Sequence, residues 1–238
     1  MRLAVPRFLR PALAFVGLWL KRVVLTILGL WAFGLFVYRW VDAPVTPLMV
    51  IRLFEGEGLS IHHVRLEEIA PSVPRAVIAS EDNRFCVHHG IDLGAVRDAV
   101  DDFADNGRLR GASTLTMQLA RNLFMWPGGG AVRKAFELPL ALAIDALWPK
   151  ERIIELYLQV AEWGPGVYGI EAAARKHFDK HASQLTRREA ALLAAVLPAP
   201  RRWDPNPPSA YLSRRAVTIE GRMRQLAPDW YRCLPDES

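Results

Sequence analysis

The stretch Pro149–Phe178, "PKERIIELYLQVAEWGPGVYGIEAAARKHF", decides the fold class. Pro149 opens a helix, because a proline at a helix start forfeits only an N–H that would have no partner there anyway. Ile153, Ile154, Tyr157, Leu158 and Ala161 fall on one face of that helix. "EWGPGVYG" reads as a Gly-rich turn, and "IEAAARKHF" as a second helix. The same grammar continues outward. Downstream, Thr186 and Glu189 form a capping box before "AALLAAVL", which Pro198 ends. Upstream, residues 131–147 read as a long apolar helix that Pro139 should kink. "PGGG" at 127–130 is a turn, and Leu115, Leu119 and Leu123 recur every four residues behind Ser113 and Thr114. Leu93, Val96, Val100 and Phe103 step by 3, 4 and 3, an amphipathic helical face. From residue 72 onward the pattern is helical throughout. Only residues 48–69 offer possible short strands. The expected class is mostly α.

The N-terminus differs in kind. Residues 1–41 carry six Lys or Arg and no acid, whereas the remainder holds 24 basic against 25 acidic residues. The +5 net charge therefore belongs to the N-terminus, and the near-neutral body carries no nucleic-acid motif. Val23–Tyr38 is 16 residues without charge, short of the roughly 20 that a bilayer requires. Snorkelling by Lys21 and Arg22 at one end, and Trp40 and Val41 at the other, would extend it. The reading is an uncleaved single-pass anchor over 1–41, N-terminus in the cytoplasm, followed by an exported domain over 42–238. Its two distant cysteines, Cys86 and Cys233, are expected to be free thiols.

Three clusters have the composition for chemistry. In "ASEDNRFCVHHGID" (79–92), Glu81 lies one turn beyond Val77 on an apolar face, where desolvation would favour a proton-accepting carboxylate. Asp82 points about 100° away and suits a cap or a pair. His88 and His89 are adjacent, poor spacing for chelation on a helix, so a structural hydrogen bond is the expectation. In "RKAFE" (133–137), Arg133 and Lys134 lie four and three residues from Glu137. That is either an intrahelical ion pair or a clamp for a diphosphate. In "RGASTLTMQLARN" (110–122), small and hydroxylated residues lead into a helix bearing Gln118, Arg121 and Asn122. Free N–H groups there suit an anion, although the Gly-Lys-Ser/Thr of a P-loop is missing.

In order and spacing these blocks resemble the peptidoglycan glycosyltransferases, and most closely their monofunctional biosynthetic transglycosylases. "EDNRFCVHHG" fits E-D-x-x-F-x-x-H-x-G, "GASTLTMQLARN" resembles G-x-S-T-I-T-Q-Q-L-x-K-N, and "RKAFE" fits R-K-x-x-E. "RIIELYLQ" and "GPGVYGIEAAARKHF" resemble the last two blocks. Met117, Arg121, Gln159 and His177 depart from the usual glutamine, lysine, asparagine and aromatic, and Pro139 enters a helix the family leaves unbroken.

The resemblance implies a lysozyme-like glycosyltransferase domain in the periplasm, anchored to the inner membrane. The implied reaction is polymerisation of lipid II with inversion and release of undecaprenyl diphosphate. Glu81 would be the general base, with Glu137 as the second catalytic carboxylate. Asp82, Phe85, His88, Ser113, Thr114, Gln118, Arg121, Asn122, Arg133 and Lys134 would bind substrate. Mg²⁺ at the lipid diphosphate, no organic cofactor, and wall-synthesis or division proteins as partners are also implied. No serine begins an S-x-x-K and no K-T-G is present, so no penicillin-binding domain is expected. Two other readings stay open: a lytic enzyme that cleaves glycan, and an inactive membrane-tethered scaffold for wall synthesis. Residues 104–112, which include Gly107 and Gly111, suit a lid.

Overall fold

The structure, a computed structural model, describes residues 10–107, 111–226 and 230–235, with side chains from Phe15 onward. The chain divides into two compact units, Met1–Val41 and Asp42–Ser238.

The first unit is helix α1 (Arg10–Val37). Its segment Phe15–Val37, 23 residues, is long and apolar enough to cross a membrane. At 1.5 Å per residue it spans about 34 Å, against about 30 Å of hydrocarbon. The expected extension through Trp40 and Val41 does not occur, since the helix ends at Val37 and Trp40 lies in a turn. The length comes instead from upstream, through Lys21 and Arg22. The Arg22 guanidinium lies 5.4 Å from the centre of the Trp19 ring.

The second unit is mostly helical, and residues 48–69 hold one short strand, as expected, but begin with a helix. Pro47–Phe54 is helix α2, started by Thr46, whose hydroxyl accepts the Met49 N–H at 3.4 Å. A short strand β1 (Ser60–Ile61) and a 3-10 turn at Leu66–Glu68 follow. Helices α3 (Ser72–Glu81), α4 (Leu93–Asn106), α5 (Leu115–Phe124), α6 (Gly130–Leu147) and α7 (Lys150–Val160) come next. Then come strands β2 (Glu162–Gly164) and β3 (Val167–Tyr168), and helices α8 (Ile170–Phe178), α9 (Arg187–Val196) and α10 (Ala210–Gln225). The "EWGPGVYG" segment is thus a β-hairpin rather than only a turn. β3 pairs antiparallel with β2 and parallel with β1. Gly166 turns the hairpin at φ +69° with the Gly58 backbone against it, so a side chain there would meet main chain.

The core forms where the apolar faces meet. Ile153, Ile154 and Leu158 of α7 are fully buried, and α7 packs on α5 and α8. α9 is buried from Ala190 to Val196 between α3 and α10. Its capping box is present: Thr186 N–H donates to Glu189 at 2.8 Å and Glu189 N–H to Thr186 Oγ1 at 3.3 Å. α6 continues through Pro139. The periodic face of α4 behaves otherwise. Leu93, Val100 and Phe103 are exposed, and no residue of α4 is buried. Exposed apolar side chains recur on α6 at Val132, Phe136 and Leu142.

Cys86 and Cys233 are not free thiols. They form a disulfide, their Cα atoms 5.4 Å apart across a sequence separation of 147. Nothing local in the sequence announces that pairing, because the path of the intervening chain brings the two together. Of the expected lid, residues 104–106 are the last turn of α4 and Gly107 is its left-handed cap at φ +64°. Residues 108–110 lie outside the described residues.

Candidate active site

Glu81 is the last residue of α3 and sits at a cleft of about 520 Å³. Its partners are polar, not the apolar wall expected. Ser80 Oγ donates to Oε1 at 3.1 Å, and Gln118 Nε2 donates to Oε2 at 3.2 Å. Arg215 of α10 lies 3.8 Å from Oε1. Gln118 is held in turn by the Tyr157 hydroxyl, which donates to its Oε1 at 3.0 Å. That arrangement sets the Gln118 amide so that its NH₂ faces the carboxylate. Burial pushes the Tyr157 phenol well above its usual pKa, the Glu81 charge adds to the rise and Arg121 opposes it. Tyr157 therefore stays a donor.

Asp82, Phe85 and His88 brace the wall rather than reach into the cleft with free groups. Asp82 is 7 % exposed, and both its oxygens are engaged. Oδ2 accepts the Leu115 N–H at 2.9 Å, and the His88 Nε2–H contacts both oxygens at 2.9 and 3.0 Å. Asp82 thus ties the end of α3 to the start of α5. Phe85 is fully buried, with Lys150 Nζ 4.7 Å from its ring centre. Lys150 also donates to the His88 carbonyl at 2.8 Å. Within the protein these three make supporting contacts, and Asp82 also lines the Glu81 cleft.

Ser113 and Thr114 lead into α5. Thr114 caps it by accepting the Met117 N–H at 3.2 Å, and its hydroxyl donates to the Gly90 carbonyl at 2.6 Å. Ser113 accepts from Lys134 Nζ at 2.5 Å, which joins α6 to the cleft wall. Met117, in place of the family's glutamine, is 1 % exposed. It therefore enlarges the core instead of lining the cleft.

Glu137 is buried, 2 % exposed, and holds two cations. Arg133 pairs with it directly and donates to the Gly128 carbonyl, while Lys134 Nζ lies 3.5 Å from Oε2. The intrahelical ion pairs and the cationic clamp are therefore one arrangement. A second cavity, about 270 Å³, opens beside it, lined among others by Gln118, Arg121, Asn122 and Arg133. Arg121 meets no carboxylate within ion-pair distance among the described residues. Burial lowers the Arg133 and Lys134 pKa values, with Arg121 lowering both further and Arg133 lowering Lys134. Three cations held close against their own repulsion make a site that an anion would stabilise.

This donor set does not fit Mg²⁺. The oxygens at hand, Ser113 Oγ and the Glu137 carboxylate, are taken by Lys134 and Arg133. Among the described residues no group of three or more His, Cys, Asp or Glu converges to hold a metal ion.

Arg215, Arg222 and Trp230 also line the Glu81 cleft and were not among the residues picked from the sequence. The two arginines are seven apart on α10, a spacing that puts them on one face. They look like ordinary surface charge until α10 docks on α3.

A mostly α domain with a carboxylate at one cleft, a cation cluster at a second cavity and an amide that touches the carboxylate and lines that cavity fits a lysozyme-like glycosyltransferase. Residues 50–224 match the model of the family described as Transglycosylase, and the chain belongs to that family, the peptidoglycan glycosyltransferases. A biosynthetic peptidoglycan transglycosylase of Rhodospirillum centenum is 53 % identical over 227 residues, 94 % of each chain. One from Xanthomonas campestris pv. campestris is 46 % identical over 96 % of this chain and 93 % of its own. One from Pectobacterium carotovorum is 43 % identical over 89 % and 91 %.

Proposed function

We propose that this enzyme polymerises the glycan strands of peptidoglycan from lipid II. Glu81 accepts the proton of the acceptor's GlcNAc 4-hydroxyl as that oxygen attacks the anomeric carbon of the donor's MurNAc. The new C–O bond forms on the face opposite the breaking bond to phosphate, so the configuration inverts and undecaprenyl diphosphate leaves. The base and the leaving group then lie on opposite sides of the sugar, as in inverting hydrolysis.

In this reading Gln118 and Ser80 aim the Glu81 carboxylate. Arg121, Arg133 and Lys134 take up the charge that develops on the diphosphate, and Asn122 lines the same cavity. Glu137 fixes the two α6 cations rather than exchanging a proton. Ser113 and Thr114 shape the donor side. The anchor sets the domain at the outer face of the inner membrane, N-terminus in the cytoplasm, where a lipid-linked substrate is met. The exposed apolar side chains of α4 and α6 suit the same lipid surroundings. Wall-synthesis or division proteins are fitting partners.

One observation carries the reading: Gln118 touches the Glu81 carboxylate and lines the cavity of the unneutralised Arg121. A glycan-cleaving hydrolase has a use for the carboxylate but none for the cations. The test is incubation of labelled lipid II with wild type and Glu81→Gln, products resolved on a gel. The wild type should give a ladder and the variant none, with melting temperatures close together. A variant that polymerises near the wild-type rate would refute the assignment. Release of soluble muropeptides from cell wall would favour the lytic reading, and lipid II binding without turnover by wild type the scaffold.

A further inference from the structure

The last described segment, residues 230–235, lies beyond the residues that match the family and outside all five sequence blocks. It is nonetheless fixed against the site. Tyr231 is 9 % exposed, with the Arg75 guanidinium of α3 5.5 Å from its ring centre. Cys233 is bonded to Cys86, in the loop that follows Glu81. Leu234 N–H donates to the Tyr231 carbonyl at 2.8 Å. These contacts leave Trp230, half-buried, at the Glu81 cleft.

The chemistry of that cleft gives Trp230 its meaning. The described lining is otherwise small, polar or charged: Glu81, Arg84, Asp98, Arg215 and Arg222 supply hydrogen bonds and charge. Trp230 is the one aromatic side chain among them. A pyranose ring has a polar rim of hydroxyls and an apolar face of C–H bonds. Charged groups satisfy the rim, and an indole offers the flat apolar surface for the face while its N–H stays near water.

We propose that Trp230 is a substrate-contacting residue, an indole platform for a sugar ring of the glycan beside Glu81, held in place by the Cys86–Cys233 tether. This rests on the reading of the cleft as a glycan-polymerising site. It concerns substrate affinity, not proton transfer.

The test uses the full-length protein in detergent. Lipid II kinetics are measured for wild type, Trp230→Ala, Trp230→Phe and Cys233→Ser, each with a melting curve. In parallel, fluorotryptophan resonances are followed while a soluble GlcNAc–MurNAc tetrasaccharide is added, with the Trp230 signal assigned from Trp230→Phe. The expected result is a KM raised about tenfold in Trp230→Ala, with kcat within about twofold. Trp230→Phe should recover most of the affinity, Cys233→Ser should follow Trp230→Ala, and the Trp230 resonance should shift on titration. In an active enzyme, a Trp230→Ala KM within about twofold of wild type overturns the proposal. A normal KM in Cys233→Ser overturns the tether. If the wild type makes no polymer, the resonance decides: a shift supports the platform and sinks only the polymerase reading, whereas a silent resonance sinks both.

Discussion

Asp82→Ala tests the joint on which the site geometry depends. The Asp82 carboxylate is 7 % exposed and receives the Leu115 N–H at 2.9 Å and the His88 Nε2–H at 2.9–3.0 Å. Truncation strands both donors in the interior. Each buried unsatisfied donor costs about 1–3 kcal/mol, which gives roughly 2–6 kcal/mol in all. Breaking a buried pair by removing one partner costs about 3–5 kcal/mol, inside the same range. Against a total stability of about 5–15 kcal/mol this is a large share. His88 Nδ1 has no hydrogen-bond partner among the described residues, so the ring has no alternative anchor at that atom. The assay is urea denaturation of the detergent-solubilised protein, followed by circular dichroism in the far ultraviolet. Asp82→Asn keeps an acceptor and should lose about half as much. In a cycle with His88→Ala the losses should be less than additive, because the two changes remove the same contact. Polymerisation should fall with stability, since the Leu115 tether registers α5, and hence Gln118, against Glu81. A loss below about 1 kcal/mol, or strict additivity with His88→Ala, would refute the argument.

Other outcomes follow from the same contacts. Tyr157→Phe removes the donor that orients Gln118; kcat should drop several-fold for a stability loss of about 1 kcal/mol, read from kinetics and melts together. Lys134 is held below its ordinary pKa by burial, Arg121 and Arg133, and a bound diphosphate should raise it. Binding then takes up a proton, so calorimetry should find pyrophosphate bound more weakly at pH 9.5 than at pH 7.5, and equal affinity would contradict the cluster. Burial pushes Glu162 up to about 7, with Glu57 adding to the rise and Arg52 and Arg201 opposing it. The folded state thus favours the protonated acid, and that stabilisation, complete below pH 4.5, is lost as pH rises through 7. The melting temperature of Glu162→Gln should gain on wild type between pH 5 and pH 8; a constant difference would contradict the shift.

The sequence by itself determined helices α3 to α9, the caps of α5 and α9, and the blocks that mark the family. Those features are local: a capping box spans four residues, an apolar face repeats every three or four, and the family blocks follow one another in order. It did not determine what surrounds the side chains of those blocks. That Glu81 meets Gln118 and Arg215, that Asp82 and His88 brace a wall, and that Met117 fills core became visible only when α3, α5, α7 and α10 were packed together. The hairpin at 162–168 was hidden because glycines mark turns and strand ends alike, and the pairing partner β1 lies a hundred residues away. The Cys86–Cys233 bond and Trp230 at the cleft were decided by tertiary structure alone. Contacts across so long a loop depend on the path of the whole chain, and neither spacing nor periodicity records that path.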